Sequence, residues 1–196
     1  MKNKFNNLMI LSLIIFNSMI ITSCSNTWSR IEKDDKAGYN GSFEIIRNGI
    51  PVNWYFSTPD TNKNKFKIII DSTIRKDGKN SLRFDVKKCS GESGVNGPGF
   101  FEEFFNTIPG ETYKVSFWLK NQDSEYLIKV RAVKAYGGNP EEVEQVLQSK
   151  ENLNEWTYYE FDHKVPIDMW LRFEMNILKP GSFWIDDLRI TLMNKK

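Results

Sequence analysis

Two adjacent acidic residues near the C-terminus, Asp186 and Asp187, are the first candidates for chemistry, because paired carboxylates can serve as general acid and base. They lie within residues 183–192, a mainly apolar stretch that predicts a β-strand. Successive side chains of a strand point to opposite faces, so these carboxylates cannot act on one bond. Asp186 shares a face with Leu188 and is predicted to point inward, where a carboxylate needs a partner; Asp187 is predicted to be exposed.

Other catalytic groups are scarce. His163 is the only histidine, and the sequence around Cys89 offers no base that would activate a thiol. The glycine-rich segment 89–101 lacks the Gly-Lys-Ser/Thr ending of a phosphate-binding loop. We therefore expect a protein that is not an enzyme and has no catalytic residues.

Aromatic and polar side chains alternate on the outward faces of several predicted strands. Aromatic rings can stack on the apolar faces of sugars, and planar polar groups can bind their hydroxyls. If these strands are neighbours, the side chains form a sugar site; the alternative is a solvated face with cross-strand ion pairs. The candidate ligand-binding residues are Trp118, Lys120, Arg131, Tyr158, Trp170, Arg172, Glu174 and Asn176.

The elements that must position these residues are strands whose apolar pattern has a period of two. Predicted strands cover residues 66–71, 81–86, 112–120, 126–135, 156–165, 169–177 and 183–192. Only the segment Pro140–Ser149 could be helical, and it could equally be a loop between strands. About eight half-buried strands predict an all-β fold, an antiparallel β-sandwich or jelly roll.

The N-terminus indicates export and lipidation. Lys2 and Lys4 precede an apolar stretch that ends in Ile-Thr-Ser-Cys24, which resembles a bacterial lipobox. We expect a signal peptide over residues 1–23, a lipidated Cys24, a tether over 24–37 and one domain over 38–194, anchored in a bacterial cell envelope. The alternative is an ordinary secretory signal.

The charge balance argues against a nucleic-acid partner. The chain has 27 basic and 25 acidic residues, and removing the signal peptide removes two lysines and no acid. The mature chain would then carry no formal net charge, whereas nucleic-acid binding requires a clustered basic excess.

Six short motifs occur in the order found in carbohydrate-binding modules. They are NGSFE at 40–44, PVNW at 51–54, DGKNSL at 77–82, PGETYKVSFWLK at 109–120, EWT at 155–157 and KPGSFWIDDL at 179–188. Together they resemble the modules of families 4, 9 and 22, over nearly the whole mature chain. The resemblance implies a galactose-binding-domain-like jelly roll.

The same resemblance implies a structural Ca²⁺ between the first and last strands. Glu44 and Asp186 match its side-chain ligands, and the turn from Asp77 to Asn80 matches the segment that supplies carbonyl oxygens. The alternative is that Asp186 caps loop N–H groups without a metal.

The resemblance and the outward rows predict a non-catalytic, envelope-anchored lipoprotein that binds an oligo- or polysaccharide. The alternative is a structural or protein-interaction lipoprotein with the same fold and no sugar site, since one fold serves many functions.

Overall fold

The computed structural model describes residues 37–57, 63–90, 97–104, 107–134 and 140–193. Within these ranges every regular element is a β-strand, which confirms the predicted all-β fold. The strands are β1 Ile46–Arg47, β2 Ile50–Pro51, β3 Tyr55–Ser57, β4 Lys65–Asp71, β5 Ser81–Lys88, β6 Gly99–Phe104, β7 Thr112–Gln122, β8 Glu125–Lys134, β9 Pro140–Ser149, β10 Leu153–Lys164, β11 Met169–Lys179 and β12 Gly181–Leu192.

Two five-stranded antiparallel sheets pack face to face. The first sheet has the order β10-β7-β12-β5-β4, and the second has the order β3-β6-β11-β8-β9; β1 and β2 form a separate hairpin. From β3 onward only the connections β4–β5 and β8–β9 stay within one sheet, and every other connection between described strands crosses to the opposite sheet. Strands that follow each other in sequence therefore often lie in different sheets.

Alternating apolar side chains from both sheets form the core, as the period-two pattern predicts. Phe117 of the first sheet and Phe173 of the second meet edge to face, with ring centroids 5.5 Å apart. Trp54 and Phe100 pack beside Phe173, with centroids 5.1 Å apart. These rings are buried and join the two sheets.

The possible helix is a strand. β9, Pro140–Ser149, pairs antiparallel with β8, and Val146 lies opposite Lys129. Its Glu and Gln residues favour a helix locally, but the backbone groups of the edge of β8 offer it a ladder of hydrogen bonds. The short strands β3 and β6 also have no counterpart among the sequence predictions.

A β-bulge corrects the prediction for the two acidic residues. The pairing of β12 with β7 shifts between Asp186 and Arg189, and Asp187 has a positive φ of 51°. The extra residue lets both Ile185 and Leu188 face the core. Asp186 therefore lies on the outer face of the first sheet, opposite Trp118, and not on the inner face.

Candidate functional site

Cross-strand register on the second sheet brings a row of side chains together on its outer face. Tyr55 of β3 pairs with Phe101 of β6, Phe101 with Glu174 of β11, and Glu174 with Lys129 of β8. In the neighbouring row Arg172 of β11 lies directly opposite Arg131 of β8. Directly paired residues place their side chains on the same face, so these two rows form one continuous surface.

An aromatic step forms one end of this surface. The rings of Tyr55 and Phe101 are stacked, with centroids 5.6 Å apart and an interplanar angle of 25°. The guanidinium carbon of Arg172 lies 4.5 Å from the centroid of Phe101, a cation–π contact. Tyr55 remains 54% exposed, so its ring presents a flat apolar face to solvent.

A carboxylate organises the polar groups beside this aromatic step. Glu174 Oε2 accepts a hydrogen bond from Arg131 Nη2 at 3.0 Å and lies 3.2 Å from Arg172 Nε. Glu174 Oε1 accepts one from Asn176 Nδ2 at 3.1 Å. Each of the three charged side chains is about one-fifth exposed, so the network reaches the surface and is held in place by its own contacts.

Five of the eight predicted ligand-binding residues belong to this second sheet. Arg131, Arg172, Glu174 and Asn176 form the network, and Trp170 is half-buried on the same face of β11. We define the second-sheet site as Tyr55, Phe101, Arg131, Arg172, Glu174 and Asn176.

The other three predicted residues lie on the outer face of the first sheet, on the opposite side of the molecule. Trp118 and Tyr158 are cross-strand partners with ring centroids 5.1 Å apart. Lys76 Nζ lies over the Trp118 ring, 3.8 Å from its centroid, and Lys120 Nζ donates to the carbonyl of Asn154. The condition on which a single site depended, that all these strands are neighbours, is therefore not met.

Tyr55 and Phe101 are not among the eight candidate ligand-binding residues, although Phe101 belongs to a run of four phenylalanines in which two are expected to be buried and the others to be free to stack. The sequence does contain a signal for Tyr55, because the large apolar Trp54 favours the core and the next residue of a strand points the other way. Phe101 follows the buried Phe100 in the same manner, but the run Gly-Phe-Phe-Glu-Glu-Phe has no clear period.

The predicted calcium residues converge on the loop of residues 72–80, which we call the 72–80 loop. Glu44 Oε1 accepts hydrogen bonds from the backbone N–H groups of Lys79, at 2.5 Å, and Asn80, at 3.0 Å. Asp186 Oδ2 accepts from the N–H groups of Lys76, at 2.7 Å, and Asp77, at 3.0 Å. Two distant carboxylates thus hold the two halves of one loop.

The fit of this arrangement to a cation can be judged from its donors. Glu44 Oε2 accepts from Asn80 Nδ2, and Asp186 Oδ1 accepts from the N–H of Asp187, so all four carboxylate oxygens already face N–H groups. Among the described residues no group of three or more His, Cys, Asp or Glu side chains is placed to hold a metal ion. This geometry fits the metal-free cap; calcium stays a prediction.

Burial governs the electrostatics of Asp186. Its side chain is fully buried beneath the 72–80 loop, and desolvation raises its pKa to about 7. The N–H groups of Asp77, Lys76 and Asp187 act in the opposite direction and lower its pKa, because they stabilise the carboxylate.

Asp71, on the same face of the first sheet, shows the opposite balance. Burial alone would raise its pKa, but hydrogen bonds from Thr73, Trp184 and the backbone of Ile74 hold the pKa well below its usual range. Its Oδ2 accepts from Trp184 Nε1 at 3.0 Å, and Arg83 lies over the Trp184 ring. This network buries Trp184 on an outer sheet face.

The predicted lipidation site, Cys24, lies outside the described residues. Within the described ranges there is no helix that could span a bilayer.

Solved structures with similar folds can now be compared with this geometry. The family 22 CBM22-1 xylan-binding domain from Paenibacillus barcinonensis Xyn10C superposes with a TM-score of 0.54 at 14% identity, covering 79% of this chain and 93% of that chain. A family 4 carbohydrate-binding module superposes with a TM-score of 0.55 at 14% identity, covering 79% and 98%. The chain has the jelly-roll fold of carbohydrate-binding modules.

The jelly roll also occurs within larger chains. The enzymatically active domain of bacteriophage CBA120 tailspike protein 4 gives a TM-score of 0.58 at 18% identity, covering 79% of this chain, which spans 22% of that chain's length. No protein-family model and no curated protein sequence matches this chain. At these identities the comparisons establish the fold, and function must be argued from the site.

Proposed function

We propose that this protein is a non-catalytic glycan-binding lipoprotein that binds oligo- or polysaccharides on the second-sheet site. The observation that carries the proposal is the stacked pair of Tyr55 and Phe101 beside the network of Arg131, Glu174 and Arg172.

The two halves of this site match the two kinds of surface on a sugar ring. The C–H groups on one face of a pyranose pack against the exposed ring of Tyr55, which buries apolar surface. The ring hydroxyls can donate to Glu174 and can accept from the two guanidinium groups, while the buried Asn176 holds the other oxygen of Glu174. Glu174 holds those groups before a ligand arrives, which lowers the entropy lost on binding.

The site supports binding better than hydrolysis. Glycoside hydrolysis requires two carboxylates on either side of one bond, and Glu174 is occupied by two arginines and an amide. Family 22 neighbours are described as xylan-binding domains. Xylan is therefore the first polysaccharide to test, followed by other β-linked plant and bacterial glycans.

Anchoring through Cys24 is the second part of the proposal. The lipobox-like sequence before Cys24 supports it, and attached acyl chains would hold the module at an envelope membrane. Binding without catalysis then serves to retain a polysaccharide near the surface for other proteins.

Affinity electrophoresis against a panel of soluble polysaccharides, with xylan included, tests the binding site. We expect Tyr55→Ala to weaken binding roughly tenfold, about 1.4 kcal/mol, through the loss of the stacking ring. Tyr158→Ala is the matched control, since it removes a similarly exposed tyrosine from the opposite face.

Three outcomes discriminate the alternatives. Binding that Tyr55→Ala weakens and Tyr158→Ala leaves intact supports the second-sheet site. Binding abolished by Trp118→Ala or Tyr158→Ala would move the site to the first sheet. A folded protein that binds no glycan of the panel would favour the structural or protein-interaction lipoprotein.

A further inference from the structure

One end of the sandwich carries exposed apolar side chains on adjacent turns. Ile167 is 75% exposed and Ile108 is 52% exposed, and Leu192 and Met193 at the end of β12 are also exposed. We call the end of the molecule formed by these four residues the apolar end. Single exposed apolar residues are ordinary, but a cluster at one place indicates an interaction surface.

Hydrogen bonds hold these four residues together at one place. The N–H of Gly110 donates to the carbonyl of Val165 at 2.6 Å, which joins the turn after Ile108 to the turn containing Ile167. The N–H of Met193 donates to the carbonyl of Thr112 at 2.9 Å, which adds the end of β12 to the same group.

The conformation of the turns makes the isoleucines project. The N–H of Met169 bonds to the carbonyl of Pro166, so Ile167 occupies a central position of that turn, and the following Asp168 has a positive φ of 64°. Turn tips favour Gly, Pro, Asn and Asp, and an isoleucine there gains nothing from the fold itself.

The opposite end of the sandwich is polar. Its fully described turns are those that connect β7 to β8, β9 to β10 and β11 to β12. The exposed residues of these turns are Asp123, Lys150, Glu151, Asn152, Lys179 and Pro180. Among the described turns, the apolar character is therefore specific to one end.

The chain enters the described domain close to the apolar end. The N–H of Leu188, in the half of β12 nearer the apolar end, donates to the carbonyl of Gly41 at 2.9 Å, and burial together with the Tyr113 phenol raises the pKa of Tyr39. The same Tyr113 hydroxyl accepts the N–H of Ile108 at 2.7 Å. The N-terminal segment of the domain thus lies in the half of the sandwich that carries Ile108.

The length of the preceding segment restricts where this end can be. Residues 25–36 separate Cys24 from Ala37, and a chain of that length spans at most about 40 Å. If Cys24 carries lipid, the domain stays near the bilayer, and the end closest to the tether faces it.

We infer that the apolar end is a membrane contact: Ile108 and Ile167 insert their side chains into the surface of the bilayer that holds the lipid anchor. The inference rests on the proposed anchoring through Cys24. Among the described residues near this end, exposed Lys134 and Lys164 are balanced by exposed Asp162 and Asp168. The strands then stand upright on the membrane, and the second-sheet site faces sideways, clear of the lipid.

The experiment uses the full chain, expressed with its own leader and reconstituted into vesicles of phosphatidylethanolamine and phosphatidylglycerol. In a Cys89→Ser background, a polarity-sensitive dye is attached at Ile167→Cys or, as the matched control, at Lys150→Cys on the polar end. We expect the dye at 167 to emit at shorter wavelength and to be quenched by doxyl-labelled lipid, with little effect of salt. The dye at position 150 should emit at the longer wavelength of a water-exposed dye and should not be quenched by the labelled lipid.

A second variant separates contact from anchoring. Ile108→Asp adds a charge at an exposed position, so the protein should remain folded and anchored while the lipid quenching of the dye at 167 is lost.

Each alternative result overturns the inference. Equal, water-like emission from both dyes in the membrane fraction would show an anchored domain without contact. Emission at short wavelength that lipid quenchers leave unchanged, and that depends on protein density, would show a second copy on this end. Recovery of the chain in the aqueous fraction would show that it has no lipid anchor, which contradicts both the anchoring and the membrane contact. Affinity electrophoresis on the same samples reports glycan binding independently, so a failure of the sugar site is distinguishable.

Discussion

Asp186 and Trp118 are cross-strand partners on the outer face of the first sheet, and one loop covers both of them. The backbone of the 72–80 loop donates to the Asp186 carboxylate through Lys76, and the Lys76 side chain lies over the Trp118 ring. The loop between β4 and β5 is therefore fastened to the last strand by a buried carboxylate and by a cation–π contact.

The first prediction concerns calcium. If Glu44 and Asp186 hold Ca²⁺, a chelator should lower the melting temperature, because a ligand that binds only the folded state stabilises it. If they act only as caps, the melting temperature should not change on adding calcium or chelator. Thermal melting of the wild type and of Glu44→Gln, with and without calcium, distinguishes the two cases. A calcium response that Glu44→Gln retains would place the ion elsewhere.

The second prediction is a pH dependence of stability. The pKa of Asp186 is about 7 in the folded state and lies near its usual value of 3.8 when unfolded, so the folded state binds the proton more tightly. The stabilisation that the protonated Asp186 gives the folded state is therefore fully present below about pH 4 and is lost as the pH rises toward 7. In chelator, we expect the free energy of unfolding to fall by a few kcal/mol across this interval.

Asp186→Asn provides the control for that titration. The variant keeps a neutral group of the same shape at the site, so this part of the pH dependence should disappear. Below pH 4 the lowered pKa of Asp71 acts with the opposite sign, since its stabilisation is present above that pH and is lost as the carboxylate is protonated. A urea titration at several pH values measures both effects. An unchanged slope between pH 4 and 7 in Asp186→Asn would contradict the assignment.

The third prediction concerns Gly78. It has a positive φ of 62°, and an added Cβ would lie 2.3 Å from Glu44 Oε1. Gly78→Ala should therefore displace the Glu44 carboxylate from the N–H groups of the loop and destabilise the protein by about 2–4 kcal/mol. Gly49→Ala is the matched control, because Gly49 has a φ of 77° and open space around it. Denaturant unfolding should show a clearly larger loss for Gly78→Ala; equal losses would mean that Glu44 is not a clamp.

The fourth prediction tests the carboxylate of the second-sheet site. Glu174→Gln removes the charge that holds Arg131 and Arg172, so glycan affinity should fall about tenfold and stability by about 1–3 kcal/mol. Glu160→Gln is the control, since its pair with Lys114 is exposed on the first sheet and contributes little. Affinity electrophoresis and thermal melting measure the two effects. If Glu174→Gln binds the glycan as well as the wild type does, the network is not part of the site.

The fifth prediction tests whether position 172 requires an arginine. Arg172→Lys keeps the charge but loses the planar group that lies over Phe101 and contacts Glu174. We expect it to weaken glycan binding nearly as much as Arg172→Ala does, measured by the same electrophoresis. Glycan binding by the lysine variant as strong as that of the wild type would mean that only charge matters at this position.

The sequence by itself determined the fold class and the inner rows of most strands. In residues 112–120 the alternation assigns Val115, Phe117 and Leu119 to one face, and all three are buried in the core. Alternation is a local property, because it follows from the two-residue period of a strand. The sequence also identified the four residues of the polar network, since Arg172, Glu174 and Asn176 alternate on one strand and Arg131 lies on another.

Only the tertiary structure decided which strands are neighbours. Trp118 and Arg172 both lie on outward rows, yet the order of strands places them on opposite sides of the sandwich. Pairing depends on contacts between residues far apart in sequence, so no local pattern reveals it. The pairing of Pro140–Ser149 with β8 likewise makes this segment a strand, although its composition also allows a helix. One extra residue at Asp187 reverses the face of Asp186, because every side chain before a bulge changes sides relative to those after it.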